Sequence, residues 1–351
     1  MKIIVLIIIA VVLWLVFRYT HKNKAASGDY PRYTGNYGYS PYSAFDPRAI
    51  ASCAELLSVD QKIIKKILDN RSLYYKRFRI GKRSGGYRTI SAPKDPLLTI
   101  QRTIYTKLIL PLEIHPAATG FRPQKSIKDN AAPHLGNDYM LKTDIMDFFG
   151  SIHEYTVAKT FEKAGQPENV AKILAHLCCL KKRLPQGAPT SPALSNIIAC
   201  EMDNKLSALA AEYDLTYTRY ADDMTFSGND FPKDIVLNKI GRILKEERFA
   251  LKQKKTRYLT PNRRKIITGL SVCSGDKMTI PKATKREIRK NVHYVITKGL
   301  SKHQSHIGSN DPSYLKRLIG QLSFWYSIEP DNRYVIKNLN TLKRMEKRAR
   351  S

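Results

Sequence analysis

The stretch YTRYADDMTFSG, residues 217–228, sets Asp222 and Asp223 side by side between two runs of β-branched and aromatic residues. In a regular strand, neighbouring side chains point to opposite faces, so adjacent carboxylates serve one centre only where the chain turns. YTRY and MTFS have the composition of hairpin arms, with Ala221–Asp223 at the tip, and strands are predicted at 215–220 and 224–227. Two carboxylates held this close repel unless a cation lies between them, and a divalent metal answers that need. A Tyr-x-Asp-Asp match also arises by chance in acidic turns, so alone it decides little.

Two further segments change its weight. MLKTDIMDFFGSI, residues 140–152, reads as a strand over 138–144 ending at Asp144, followed by Phe148 and Phe149. A third carboxylate at a strand end completes a donor set for hard cations, with phosphate and water supplying the remaining oxygens. Asp147 competes for that role, but it sits where strand hands over to helix and reads as a helix-start charge. LPQGAPTSPALSNIIACEMDNKL, residues 184–206, reads as a Pro-Gly loop, a Ser191 cap, a first-turn Pro192 and an amphipathic helix. The amide of Gln186 has no evident structural task there.

The rest of the chain is strongly basic. Sixty Lys and Arg oppose thirty Asp and Glu across 351 residues, a formal charge of +30, which favours polyanionic partners and excludes a disordered acidic tail. Cys53, Cys178, Cys179, Cys200 and Cys273 show no C-x2-C pairing, so they read as reduced thiols. Asp46 and Pro47 mark a helix start, 74–93 a hairpin across a Gly-containing turn, and 97–110 and 153–181 have helical spacing. Another strand is predicted near KIITGLSV, and 281–351 is helical and basic. Short strands among irregularly spaced helices indicate an α+β fold.

Residues 3–17 form an unbroken apolar run, which as a helix spans about 22 Å. A membrane anchor, a signal peptide and a buried helix compete for it. The anchor is favoured because small residues are missing at the expected cleavage site and no polar face exists. Basic residues after the span outnumber Lys2 before it, so the body is expected on the cytoplasmic side. Residues 19–45, rich in Tyr, Gly, Ser and Pro, read as a linker.

Taken in order, the Asp144 segment, Pro185-Gln186-Gly187 and the Tyr220–Asp223 hairpin resemble the core of reverse transcriptases. NAAPH at 130–134 and ITGLSV at 267–272 are similar to elements of bacterial retron reverse transcriptases, with Ile267 where a valine is usual. The resemblance implies a right-hand polymerase. Its expected parts are fingers and palm over 46–280 and a helical thumb over 281–351; the N-terminal apolar helix over 1–18, followed by the linker over 19–45, departs from the simplest members of that family. It implies two Mg2+ ions on Asp144, Asp222 and Asp223, one activating a primer hydroxyl and one neutralising the triphosphate.

By the same resemblance Phe149, Gln186, Gly187, Arg88, Arg122 and Lys255 surround the dNTP. Tyr220 and Arg219 serve primer and template, with a carboxylate as the alternative partner for Arg219. Asn130 and His134 recognise a cognate structured RNA, although His134 reads equally as a structural histidine. Lys282, Arg286, Arg289 and Lys290, in a run with seven Lys or Arg between 282 and 302, face the duplex. Branched RNA-linked DNA, anti-phage defence and an effector protein are further implications. A group II intron-like enzyme and a membrane-tethered RNA-binding defence module are the alternatives.

Overall fold

The computed structural model describes residues 45–82 and 85–348. The apolar helix expected over 1–18 and the linker up to residue 44 lie outside the described residues. Among the described residues no helix is long and apolar enough to cross a membrane.

Helix α1 (Pro47–Leu57) starts as the sequence indicates: Asp46 accepts the Arg48 N–H at 2.9 Å and Pro47 fills the first turn. Helix α2 (Gln61–Asp69) is capped in the same way by Asp60. Strands β1 (Tyr75–Gly81) and β2 (Tyr87–Pro93) form an antiparallel hairpin in which Ile80 faces Arg88 and Phe78 faces Ile90. The hairpin projects: every β1 residue after Tyr75 is exposed. Helix α3 (Leu97–Ile104) runs into a π turn, and a Ser126–Asp129 capping box opens the short α4 (Ile127–Ala131).

Strand β3 (Tyr139–Asp144) leads into α5 (Phe148–Ser151), then α6 (Glu154–Lys163) and α7 (Glu168–Cys178). Asp147 occupies the N-cap position of α5, as its helix-start reading requires. The cap expected at Ser191 is displaced by one residue. Thr190 holds the N-cap position, and α8 (Ser191–Ile198) breaks at Ala199 before α9 (Cys200–Glu212) begins. A proline lacks only an N–H that any first-turn position leaves unpaired, so Pro192 does not by itself fix the cap.

Strands β4 (Thr216–Tyr220) and β5 (Asp223–Gly228), helix α10 (Lys233–Glu246) and strand β6 (Arg257–Leu259) complete an antiparallel sheet in the order β4-β5-β3-β6. A second small sheet holds β7 (Ile266–Ile267), β8 (Leu270–Ser274) and β9 (Lys277–Thr279). The single strand expected near KIITGLSV is thus two, because Thr268 and Gly269 both take positive φ, 44° and 89°, and turn the chain.

Helices α11 (Lys282–Lys298), α12 (Leu300–His306), α13 (Tyr314–Ile328) and α14 (Arg333–Arg348) close the chain. They pack on an apolar cluster of their own around Trp325, Leu322 and Val295. A larger cluster joins α1–α3, α6–α10 and the main sheet, and a smaller one holds Ala131, Met140, Ile267 and Leu270. Buried apolar area of this kind is the main favourable term in folding. The arrangement is a mixed α+β fold with the main sheet carrying all three candidate carboxylates.

Candidate active site

The acidic hairpin forms as the sequence indicates. Tyr220 pairs with Asp223, leaving Ala221 and Asp222 as a two-residue turn with Ala221 at φ 57°. Strand β5 also pairs with β3, and that register sets Asp144 directly opposite Asp223. The Ile145 N–H donates to the Asp222 carbonyl at 2.8 Å and fixes the turn against the end of β3. A third carboxylate, 78 residues before Asp222 in sequence, thereby reaches the pair.

The electrostatics follow from that proximity. Burial, then the charges of Asp144 and Asp222, push the Asp223 carboxyl up from 3.8 to about 6. Asp222 is raised as well, chiefly by burial and then by Asp144. The nearest cation is Lys255. The Lys252 N–H donates to the Asp144 carbonyl at 2.8 Å, starting a 3-10 turn over Gln253–Lys255. That turn delivers the Lys255 ammonium to the Asp144 carboxylate. Burial lowers the Lys255 pKa, but the Asp144 hydrogen bond and charge outweigh it and the net shift is upward.

The donor set suits a hard divalent cation: three carboxylates whose mutual repulsion is only partly relieved by one lysine. Among the described residues no three such side chains enclose a metal-sized space. Asp144, Asp222 and Asp223 would hold such a cation, with Asp144 here paired to the Lys255 ammonium.

The remaining expected residues divide. The Gln186 carbonyl accepts the Ser91 N–H at 2.7 Å, so the loop bearing Gln186 and Gly187 lies along β2. Gly187 is required there: its φ is 118°, and an added Cβ would stand 2.8 Å from Ile90 Cγ2 and 3.0 Å from the Ser91 carbonyl. Arg88 is exposed on that strand. Arg122 is half-buried and reaches the His115 carbonyl at 3.4 Å. Phe149 is half-buried, with ring centroids 6.0 Å from Phe121 and 5.8 Å from Phe148. Tyr220 is half-buried beside Phe121.

Three of the expected residues are buried. Arg219 does not face primer or template: it is 0% exposed, and its Nε and Nη2 donate to Asp203 at 2.8 and 2.5 Å. The carboxylate alternative is the one realised. Its Nη1 also donates to the Ala221 carbonyl and to Asn196 Oδ1, both at 3.0 Å. Asn130 and His134, at 2% and 0% exposure, present no surface to an RNA. Asn130 accepts from Thr119, and His134 lies between Thr218 and Ser227.

Two residues of the site were missed in the sequence. Lys142 stands two residues before Asp144, on the same face of β3, and its charge opposes the upward shift of Asp223. Its signal was a lysine directly after the apolar Met140–Leu141 of a buried strand. Asp203, an acid on the buried side of α9, left no such mark.

On α11, Lys282, Arg286, Arg289 and Lys290 are all exposed. The Arg289 guanidinium lies 5.4 Å from the Trp325 ring and 5.1 Å from that of Tyr334, so its plane is backed by aromatic rings. Tyr294, Phe324 and Tyr326 are exposed on the same helical unit.

Comparison with known proteins agrees with the site. Residues 80–298 match the reverse transcriptase (RNA-dependent DNA polymerase) family. The chain is 39% identical to the Retron Mx65 reverse transcriptase of Myxococcus xanthus over 221 residues, 58% of this chain and 52% of that protein. It therefore spans about half the length of that relative. With the Retron Ec86 reverse transcriptase of Escherichia coli the identity is 32% over 243 residues, 69% of this chain and 72% of the relative. With Retron Ec83 reverse transcriptase, also of Escherichia coli, it is 30% over 273 residues, 73% and 84%. Asp144, Asp222 and Asp223 all lie inside the matched span, and the chain belongs to the bacterial retron-type reverse transcriptases, a family of RNA-directed DNA polymerases.

Proposed function

We propose that this chain copies a structured non-coding RNA into DNA, using the Asp144–Asp222–Asp223 centre for nucleotidyl transfer. The observation that carries the reading is the register that sets Asp144 opposite Asp223 with Asp222 in the adjoining turn. Two Mg2+ held by these carboxylates would supply hydroxyl activation and charge neutralisation at the triphosphate. Lys255, released from Asp144, is placed to receive phosphate charge, and Arg88 and Arg122 add cationic donors from the fingers. Gln186 and Gly187 line the nucleotide pocket, and the Phe149 ring crowds the sugar 2' position. Lys282, Arg286 and Lys290, on a thumb formed by α11–α14, hold the duplex backbone.

The test is purification with bound nucleic acid, sequencing of that nucleic acid, and dNTP incorporation by wild type and Asp222→Ala. Incorporation by the wild type, lost in the variant, is expected; equal incorporation by both refutes the assignment. For Phe149, the Phe149→Val variant is expected to raise rNTP incorporation relative to dNTP.

The product is proposed to be branched RNA-linked DNA made in anti-phage defence with an effector protein. DNA that is never covalently joined to the recovered RNA favours a group II intron-like enzyme instead. The chain is also proposed to be tethered at the cytoplasmic face of the inner membrane through residues 3–17. Fractionation with and without residues 1–20 tests this, and a full-length chain found wholly in the soluble fraction refutes it.

A further inference from the structure

The β4–β5 hairpin has two faces, and its side chains sort by the alternation of a strand. Register places Thr218, Tyr220, Asp223, Thr225 and Ser227 on one face, and Tyr217, Arg219, Met224 and Phe226 on the other. The second face is held by packing and charge: Tyr217 stacks on Phe226 at 4.6 Å, and both Tyr217 and Arg219 bond Asp203. The face carrying Asp223 is held differently. His134 Nε2 meets Thr218 Oγ1 at 2.8 Å and its Nδ1 meets Ser227 Oγ at 2.6 Å, so one imidazole bridges both strands. The Asn130 carbonyl accepts from Thr218 Oγ1 at 3.2 Å, while its side-chain Oδ1 accepts the Thr119 hydroxyl at 2.9 Å and the Thr119 N–H donates to the Arg219 carbonyl at 2.8 Å.

We propose that Asn130 and His134 are positioning residues of the catalytic hairpin, which fix β4 and β5 in place and so hold the Asp223 carboxyl against Asp144, and that they do not read an RNA. Thr218 Oγ1 keeps the Asn130 carbonyl and Ser227 Oγ keeps the Asn137 amide as partners, so losing the imidazole removes one buried hydrogen bond from each hydroxyl and the link between the two strands. Burial also lowers the His134 pKa to about 3, which keeps the ring neutral, with one nitrogen donating and the other accepting. A nearby continuity fits this role. The α4 segment that carries Asn130 is bound from its other side, the Ile127 carbonyl accepting Thr268 Oγ1 at 3.2 Å and the Lys128 ammonium donating to the Ser327 carbonyl of α13. The clamp is therefore anchored in the fold on both sides.

The inference rests on the polymerase reading, and its test separates the two. Thr218→Val and Ser227→Ala remove the hairpin's half of the clamp with little change in volume; His134→Ala and the partly restoring His134→Gln remove the other half. Extension of oligo(dT) on poly(rA) is measured for kcat and dTTP KM, binding of the RNA recovered with wild type for Kd, and Mn2+ binding by electron paramagnetic resonance. The expected result is kcat lower by about 10-fold in Thr218→Val and His134→Ala, partial recovery in His134→Gln, weaker Mn2+ binding, and KM and RNA Kd within about 2-fold. A 10-fold rise in RNA Kd with kcat unchanged overturns the inference. If the wild type extends no primer, the polymerase reading fails on its own, and Mn2+ affinity then decides: a value unchanged in Thr218→Val overturns the inference, and a weaker one supports it.

Discussion

Burial first, and then the charges of two neighbouring aspartates, hold the proton on Asp223 and push its carboxyl up to about 6. Its sign is set by linkage. Because the native pKa lies above the unfolded value of 3.8, the stability contributed by the neutral carboxyl is present below about pH 4 and lost as pH rises through 6. Melting in chelator is expected to show the midpoint falling between pH 4.5 and 7, and added Mg2+ is expected to remove most of that fall. The Asp223→Asn chain is expected to lose the slope and to lose incorporation by about 10³-fold, since charge stabilisation by bound metal is worth several kcal/mol. The buried Arg219–Asp203 pair behaves oppositely: Asp203→Asn leaves a guanidinium at 0% exposure without its counter-charge. A loss of about 3–5 kcal/mol in denaturant unfolding is expected. The aspartates were legible in the sequence because chemistry marks them. The burial of Arg219, Asn130 and His134 was not legible, because it depends on what the fold brings across from each residue, and no local pattern records that.

The β4–β5 turn is pressed from outside by Gly120. A Cβ there would stand 2.8 Å from the Ala221 N and 3.2 Å from the Tyr220 carbonyl carbon, both backbone atoms that cannot swing away. Gly120→Ala is expected to displace the turn and lower kcat by about 10- to 100-fold, at a stability cost of about 1–3 kcal/mol; primer extension and chemical unfolding measure the two. Gly187→Ala acts one loop away, against Ile90 and the Ser91 carbonyl, and is expected to raise dNTP KM more than it lowers kcat. At this scale the sequence was informative wherever a period or a turn residue spoke. The strand expected at 138–144 is Tyr139–Asp144, and the arms expected at 215–220 and 224–227 are Thr216–Tyr220 and Asp223–Gly228. Where two breakers act together the reading blurred, as at Thr268–Gly269, since composition alone gives no φ. The loop-then-helix reading of 184–206 kept its order but missed the break at Ala199, a residue that favours helix and gives no warning.

A formal charge of +30 makes attraction to a polyanion strong and salt-dependent. RNA affinity is expected to fall steeply and log-linearly with salt, and replacing Lys282, Arg286 and Lys290 together by Gln is expected to lower that slope by about 2–3, one unit per lost phosphate contact. Filter binding across a salt series reads it. That basic tail was legible from composition, but its separate apolar cluster was not, because clusters are defined by contacts between distant helices. The side chain of Ile328, at the end of α13, packs against two such clusters, that of the helical unit and that around Ile267 and Leu270. One isoleucine is thus the shared pin between bodies that otherwise bury their apolar faces apart. Shortening it should let α11–α14 open as a cooperative unit of their own: in Ile328→Ala, their amide protons should exchange faster while those of β3–β5 keep wild-type protection.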